Sequence, residues 1–311
     1  MGEGPMSNVT ATPTVKVIRE GDTSKPNAFT IVIVSNPALE TPWHSGTFAV
    51  DSITNNEANF DGCVAYINES LFGDLPGQAE TFLADPTIGP YIRLVSLFVD
   101  GLPAQDANAL VAQDDVSNIA VARRTVFAPF LARFELSADI AYAVTASATH
   151  TRASAWFMSD DDAQGGVPFT LNGVSLVHRY HHLIPGTVAL PVTSTSLTAL
   201  HELGHALSSY TNGMVVDLYV DSREGLNNRQ GRPIPHDFAT YNGEAIVADP
   251  SRDSLGYPVG WQSYHCSLLD PANPAVMDDY WKAKGGPEAC RHDAITRRFL
   301  ADRLRAKISR Y

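Results

Sequence analysis

The segment His201-Glu202-Leu203-Gly204-His205 puts two imidazoles and a carboxylate within five residues. On a helix, residues four apart lie about 40° from each other around the axis and one turn apart along it, so both rings can reach one metal ion. Glu202, between them, is placed to act on a water rather than on the metal. A zinc ion held there would polarise a carbonyl and bring the pKa of its water towards neutrality. The flanking residues fit a helix. Ser194-Thr195-Ser196 offers N-cap hydroxyls, and Leu197, Leu200, Leu203 and Leu207 form an apolar stripe that leaves the histidines on another face.

A catalytic zinc takes three protein ligands and keeps one position open, so the motif is one ligand short. Downstream donors are Asp217, Asp221, Glu224, His236, Glu244 and His265. Chain geometry favours Asp217. The helix is expected to run to Asn212-Gly213, where glycine supplies a left-handed cap. Eight helical residues beyond His205 climb about 12 Å. Four extended residues from Gly213 to Asp217 return about 13 Å, which brings that carboxylate back to the level of the metal. Glu244 and His236 stay open as alternatives. Asn242-Gly243 followed by Glu-Ala-Ile-Val reads as a hairpin, which weighs against Glu244 as a helical ligand. His236 and His265 suit hydrogen bonding to a bound substrate from polar loops.

Other polar clusters invite blander readings. His178-Arg179-Tyr180-His181-His182 follows a strand-like run, so His178, Tyr180 and His182 share a face as a cleft wall or solvated edge. Asp160-Asp161-Asp162 lacks the spacing of a known calcium loop and reads as a solvated turn.

The elements that must position the motif alternate. Thr14–Ile18 is a short strand in an otherwise polar N-terminal extension over residues 1–27. Thr30–Val34, Tyr91–Val99 and Ile140–Ala146 read as buried strands, and Ala153–Met158 as a further short one. Phe60, Val64, Ile67 and Leu71 mark a helix, and 106–134 reads as helical with an interruption at Pro129. Asn172-Gly173 predicts a hairpin between Phe169–Leu171 and Val174–Val177. Gly186–Leu190 is expected to be a strand leading into the motif helix and a sheet edge for an extended peptide. Beyond residue 213 the chain turns loop-rich and ends in a helix carrying Ile295, Phe299, Leu300 and Leu304. The expected architecture is α/β (α+β): a catalytic subdomain over 28–213 with a mixed sheet, and a loop-rich C-terminal subdomain over 214–311.

Composition bounds the partners. An apolar content of 44% with 18% charged residues is that of a globular protein with a real core, and 311 residues suffice for one large or two modest domains. A net charge of −12 argues against nucleic acid or an anionic membrane as the main partner. No run approaches the length of a membrane-spanning helix. The start, Met1-Gly2-Glu3-Gly4-Pro5-Met6, has neither the basic nor the apolar region of a signal peptide. The default expectation is a cytoplasmic protein, or a secreted one if a leader was removed. Cys63, Cys266 and Cys290 make no disulfide framework; Cys266 and Cys290 are left open as a pair, with buried thiols the simpler reading. Composition gives no oligomeric state.

His-Glu-x-x-His resembles the signature of the zincin metallopeptidases. Asn273-Pro274-Ala275-Val276-Met277-Asp278-Asp279-Tyr280 is similar to the Met-turn of metzincins, in which a methionine lies beneath the metal. His-Glu-Leu-Gly-His, then Asp217-Leu218-Tyr219, a long loop, Met277 and the Cys290 tail resemble the IgA-peptidase-type branch. The chain departs from the common metzincin pattern by having Ser208 and Thr211 where a turn glycine and third ligand stand. The resemblance implies a zincin-like twisted mixed sheet and zinc-dependent hydrolysis of a peptide or protein. It implies metal ligands His201, His205 and Asp217, Glu202 as general base, and Tyr280 as a stabiliser of the tetrahedral intermediate; His236 and His265 are further candidates for that oxyanion or for binding substrate. Two other classes remain open: a zincin-fold binding protein without turnover, and a metal hydrolase of a small non-peptide amide.

Overall fold

The computed structural model describes residues 13–22, 24, 29–74, 78, 80–116, 119–146, 153–156, 163–164, 167–168, 172–177, 197–207, 215, 240–241, 244–245, 276–277, 291–292 and 294–309. The first half of the chain forms β1 (Pro13–Arg19), β2 (Phe29–Ser35), β3 (Ala38–Glu40), β4 (Phe48–Val50), α1 (Glu57–Phe72) and β5 (Ile92–Val99). It continues through β6 (Val111–Asp114), β7 (Ile119–Ala122), α2 (Arg124–Ala132), β8 (Ile140–Thr145) and β9 (Ser154–Ala155). Then come β10 (Ala163–Gln164), β11 (Val167–Pro168), β12 (Asn172–Val177), α3 (Thr198–Ala206), β13 (Thr240–Tyr241), β14 (Glu244–Ala245) and α4 (Ala294–Ile308).

The fold is mixed α/β, with two mixed sheets and four α-helices among the described residues. The larger sheet has the order β1-β5-β2-β8-β12-β9. Its four central strands run parallel, and β1 and β9 close it antiparallel on either side. β2 and β8 are buried at every residue, as near-continuous apolar runs covered on both faces must be. Alternate residues feed two cores. Ile31, Ile33, Leu94, Tyr142 and Val144 face the layer that holds α1, α3 and α4. Val32, Val34, Val95, Leu97, Ala141 and Ala143 face α2 and the second sheet, ordered β4-β3-β6-β7.

α1 is delimited as its sequence dictates. Asn56 caps its first turn by accepting from the Asn59 N–H, and Gly73 ends it in the left-handed region at φ 79°. Phe60, Val64, Ile67 and Leu71 are its buried stripe. Cys63 is buried beside them, and burial pushes its thiol up to about 12, which makes it a packing residue. Cys266 and Cys290 lie outside the described residues.

Two expectations change. Residues 106–134 are not one helix: β6 and β7 pair antiparallel there, and only Arg124–Ala132 is helical, with Pro129 inside it. Burial of Val126, Phe127, Phe130 and Leu131 holds that short helix despite the proline. Asn172-Gly173 is not a turn, because both residues pair in parallel with Ile140 and Ala141 of β8. The two-residue connections lie elsewhere. Gln164 pairs with Val167, and Tyr241 pairs with Glu244 across the expected Asn242-Gly243 turn. The N-terminal extension also contributes β1 to the main sheet. Gly186–Leu190 lies outside the described residues.

The sheet reverses its winding between β5 and β8, on either side of β2. Such a switch point opens a crevice at the strands' carboxyl ends. Here Asp51 fills it. Its Oδ2 accepts from Asn36 Nδ2 (2.8 Å) and Thr145 Oγ1 (2.5 Å), and its Oδ1 from the backbone N–H groups of Ile53 and Ala146 (both 3.0 Å). Asn36 Oδ1 in turn accepts from Leu110 N–H (3.0 Å), which ties the crevice to the second sheet. Burial nevertheless pushes the Asp51 carboxyl above its ordinary range, outweighing these four donors.

Candidate metal centre

α3 carries the histidine motif and packs by the predicted stripe: Leu197, Leu200, Leu203 and Leu207 are all buried. Its N-cap differs from expectation. Leu197 occupies the cap with no side-chain hydrogen bond. Tertiary contacts hold the helix ends instead. Tyr142 Oη, wholly buried on β8, donates to the Ala199 carbonyl (3.0 Å). At the other end Arg303 Nε of α4 donates to the Leu207 carbonyl (3.1 Å), placing a cation where the helix dipole is negative. Burial, and after it the Glu202 charge, raises the Tyr142 hydroxyl well above its ordinary pKa, so it remains a donor.

His201 and Glu202 are buried, each 6% exposed, while His205 is half-buried. The two imidazoles stand with centroids 5.0 Å apart and planes at 83°. Each is held through Nδ1 by a backbone carbonyl from a distant segment. His201 Nδ1 lies 2.8 Å from Val276 O, and His205 Nδ1 lies 3.1 Å from Val215 O. A carbonyl only accepts, so in the neutral rings Nδ1 carries the hydrogen and the lone pair sits on Nε2. That is the tautomer and the outer partner typical of metal-binding histidines.

Beneath the helix a second pair of segments closes in. Val276 N–H donates to Arg291 O (3.0 Å), so Val276-Met277 and Arg291-His292 lie side by side. Both side chains reach Gly204. A Cβ there would stand 2.7 Å from Met277 Sδ and 3.4 Å from His292 Nε2, so any larger residue makes the methionine end shift. His292 is 6% exposed and meets Phe82 edge-on at 5.5 Å. Its Nε2 is buried with no hydrogen-bond partner among the described residues, an arrangement that costs about 1–3 kcal/mol. Burial, then the charges of His201, Arg297 and His205, pushes its pKa down to about 3, which keeps the ring neutral.

The described structure thus brings together His201, Glu202, His205, Met277 and His292. Among the described residues no third His, Cys, Asp or Glu joins the motif pair in a group able to hold a metal. Asp217, Asp221, Glu224, His236, His265 and Tyr280 lie outside the described residues. Glu244 lies in β14, whose side chains are likewise outside them. α3 ends at Ala206 with Leu207 as its C-cap, short of the Asn212-Gly213 expected to close it. Val215, two residues before Asp217, sets its carbonyl 3.1 Å from His205 Nδ1.

Sequence reasoning missed Tyr142, Arg303 and His292. The first two sit in a strand and a helix whose patterns announce packing. His292 carries no pattern of its own, and its neighbours Gly204 and Phe82 come from far away in sequence. Two imidazoles with fixed tautomers, oriented by backbone beside a buried carboxylate, are the kind of donors a zinc ion takes, one short of a full set among the described residues. No helix among the described residues is long and apolar enough to cross a membrane. No family model matches this sequence, and neither a curated protein nor a solved structure is significantly similar to it.

Proposed function

We propose that this chain is a zinc-dependent peptide hydrolase of the zincin type, metzincin-like and close to the IgA-peptidase-type branch. The observation that carries the reading is the seating of both motif histidines on backbone carbonyls, Val276 O at 2.8 Å and Val215 O at 3.1 Å. Incidental histidines on a helix have no need of matching outer partners from two separate segments. Met277 against Gly204 supports the metzincin-like form, since a methionine lies under the metal helix there.

His201 and His205 would hold the ion, with Asp217 as third ligand and Glu244 or His236 as the alternatives. Zinc bound by them supplies Lewis acidity towards a scissile carbonyl and brings water to ionise near neutral pH. Glu202, one residue from His201 and buried, takes the proton of the attacking water and passes it to the leaving amine. Tyr280 is assigned to the developing oxyanion, and His236 and His265 to the substrate.

Metal content by elemental mass spectrometry, paired with cleavage of a mixed peptide library, tests this on wild type, Glu202→Ala and Asp217→Ala. Wild type should hold about one zinc per chain, and Asp217→Ala should lose it. Glu202→Ala should keep the zinc while cleavage falls roughly 100- to 10,000-fold. A wild type that takes up no zinc on reloading would overturn the proposal.

A further inference from the structure

The underside of α3 holds a polar group that the proposed chemistry does not use. His292 is 6% exposed, and its Nε2 has no partner among the described residues. A leucine side chain would bury no bare nitrogen there, so apolar packing alone does not explain an imidazole. Its contacts do. The ring is braced edge-on by Phe82 and points Nε2 at the Gly204 backbone, beside Met277 Sδ. One residue earlier, Arg291 O accepts the Val276 N–H, and the other side of that peptide segment, Val276 O, accepts from His201 Nδ1. The seat of His292 therefore sets the height of Val276 under the helix, and Val276 sets the tautomer and tilt of His201.

We propose that His292 is a positioning residue for His201, acting through the Arg291–Val276 pairing and the Gly204–Met277 contact. A five-membered ring with a nitrogen at its leading edge is the shape that fits there. A phenyl ring is one atom larger and brings a C–H towards Gly204, where His292 Nε2 already stands 3.4 Å from the position a Cβ would take. His205 is not under this control, because its carbonyl partner, Val215, belongs to a different segment. For its metal arm, the role rests on the reading of His201 as a ligand.

The test uses the full chain with ¹⁵N-labelled histidine, as wild type, His292→Phe and His292→Gln. Ring-nitrogen NMR of the metal-free protein reads the tautomer of each histidine, and a titration with Co²⁺ alone reads affinity. Wild type should show His201 as a single Nδ1–H tautomer. His292→Phe should turn His201 into a tautomer mixture and weaken Co²⁺ binding about tenfold or more, with the His205 pattern unchanged. His292→Gln, smaller and polar, should recover part of both. A His292→Phe protein with wild-type His201 signals and wild-type affinity would overturn the role. So would equal disturbance of His201 and His205 in both variants, which marks general loss of packing. If wild type binds no Co²⁺, the metal reading fails, while the His201 tautomer in the two variants still decides the role of His292.

Discussion

The buried polar groups around Asp51 and those under α3 are built on opposite principles. At the carboxyl ends of the parallel strands, Asp51 has four donors on its two oxygens, and every donor comes from an element it ties together. Under α3, His292 Nε2 has none among the described residues, and a helix glycine admits a sulfur to within a hypothetical 2.7 Å. The first is what a structural polar cluster requires: complete satisfaction, because a half-met network in a low dielectric costs more than an apolar core. The second keeps a cost that simple packing would remove, and such places mark working sites. The crevice where α/β sheets usually bind ligands is here plugged. The histidine pair stands on a helix to one side.

The largest effect that would separate the clusters is expected at Asp51. Asp51→Ala strands the buried Asn36, Ile53 and Ala146 donors at once, and should cost about 3 kcal/mol or more in denaturant unfolding, counting about 1–3 kcal/mol for each stranded group. Metal affinity of the fraction still folded should be unchanged; a parallel loss of metal would break the distinction. Gly204→Ala should behave the other way. A gain of up to about 1 kcal/mol in helix propensity offsets an overpacking cost of about 1–3 kcal/mol, so stability moves little while metal affinity falls. Adding Met277→Ala should restore part of that affinity, with a coupling above about 0.5 kcal/mol in the double-mutant cycle.

Tyr142→Phe sharpens the boundary from the far side. It removes one buried hydrogen bond to the Ala199 carbonyl and should cost about 1 kcal/mol in thermal or denaturant unfolding, leaving the histidine tautomers as they are.

The pH dependence of the metal-free protein is the subtlest contrast. Asp51 has a folded pKa above its unfolded one, near 3.9, so its contribution is complete below that value and is lost as pH rises through the folded value. His292 has a folded pKa lowered to about 3, so its contribution is present above the unfolded value near 6.5 and is lost as pH falls towards 3. Unfolding measured from pH 3 to 7 should therefore show opposite slopes disappear in Asp51→Asn and in His292→Gln. If His292→Gln loses stability in acid as wild type does, the histidine is protonated without cost and its burial is misjudged.

How far the sequence reveals these features depends on the range of the contacts. β2, β5 and β8 are legible because strands covered on both faces read as unbroken apolar runs, and α1 because its period is local. The leucine stripe of α3 is legible for the same reason. The second sheet is not. Its strands are short, and Ala107, Ala109, Ala112, Ala120 and Ala122 give 106–134 the composition of a helix, while pairing between β3 and β6 decides otherwise. Asn172-Gly173 misleads because a turn signal holds only where the flanking strands pair with each other, and here β8 claims both residues. In the site, the two histidines and Glu202 are visible as a motif. The carbonyls of Val215 and Val276, and the imidazole of His292, have no local signature, since a backbone oxygen carries no sequence and a lone histidine carries no period.

The spans of these contacts also set an order in time. His201 is oriented by a carbonyl 75 residues further on, and the end of α3 is tied by an arginine 96 residues further on. Chains are made from the N-terminus, and their domains fold as they emerge. The motif therefore leaves the ribosome long before Val276, Met277, His292 and Arg303 exist to frame it. Synthesis itself acts as a timer: the helix and the Val215 carbonyl that holds His205 come first, and the seat that orients His201 comes only some 75 residues later.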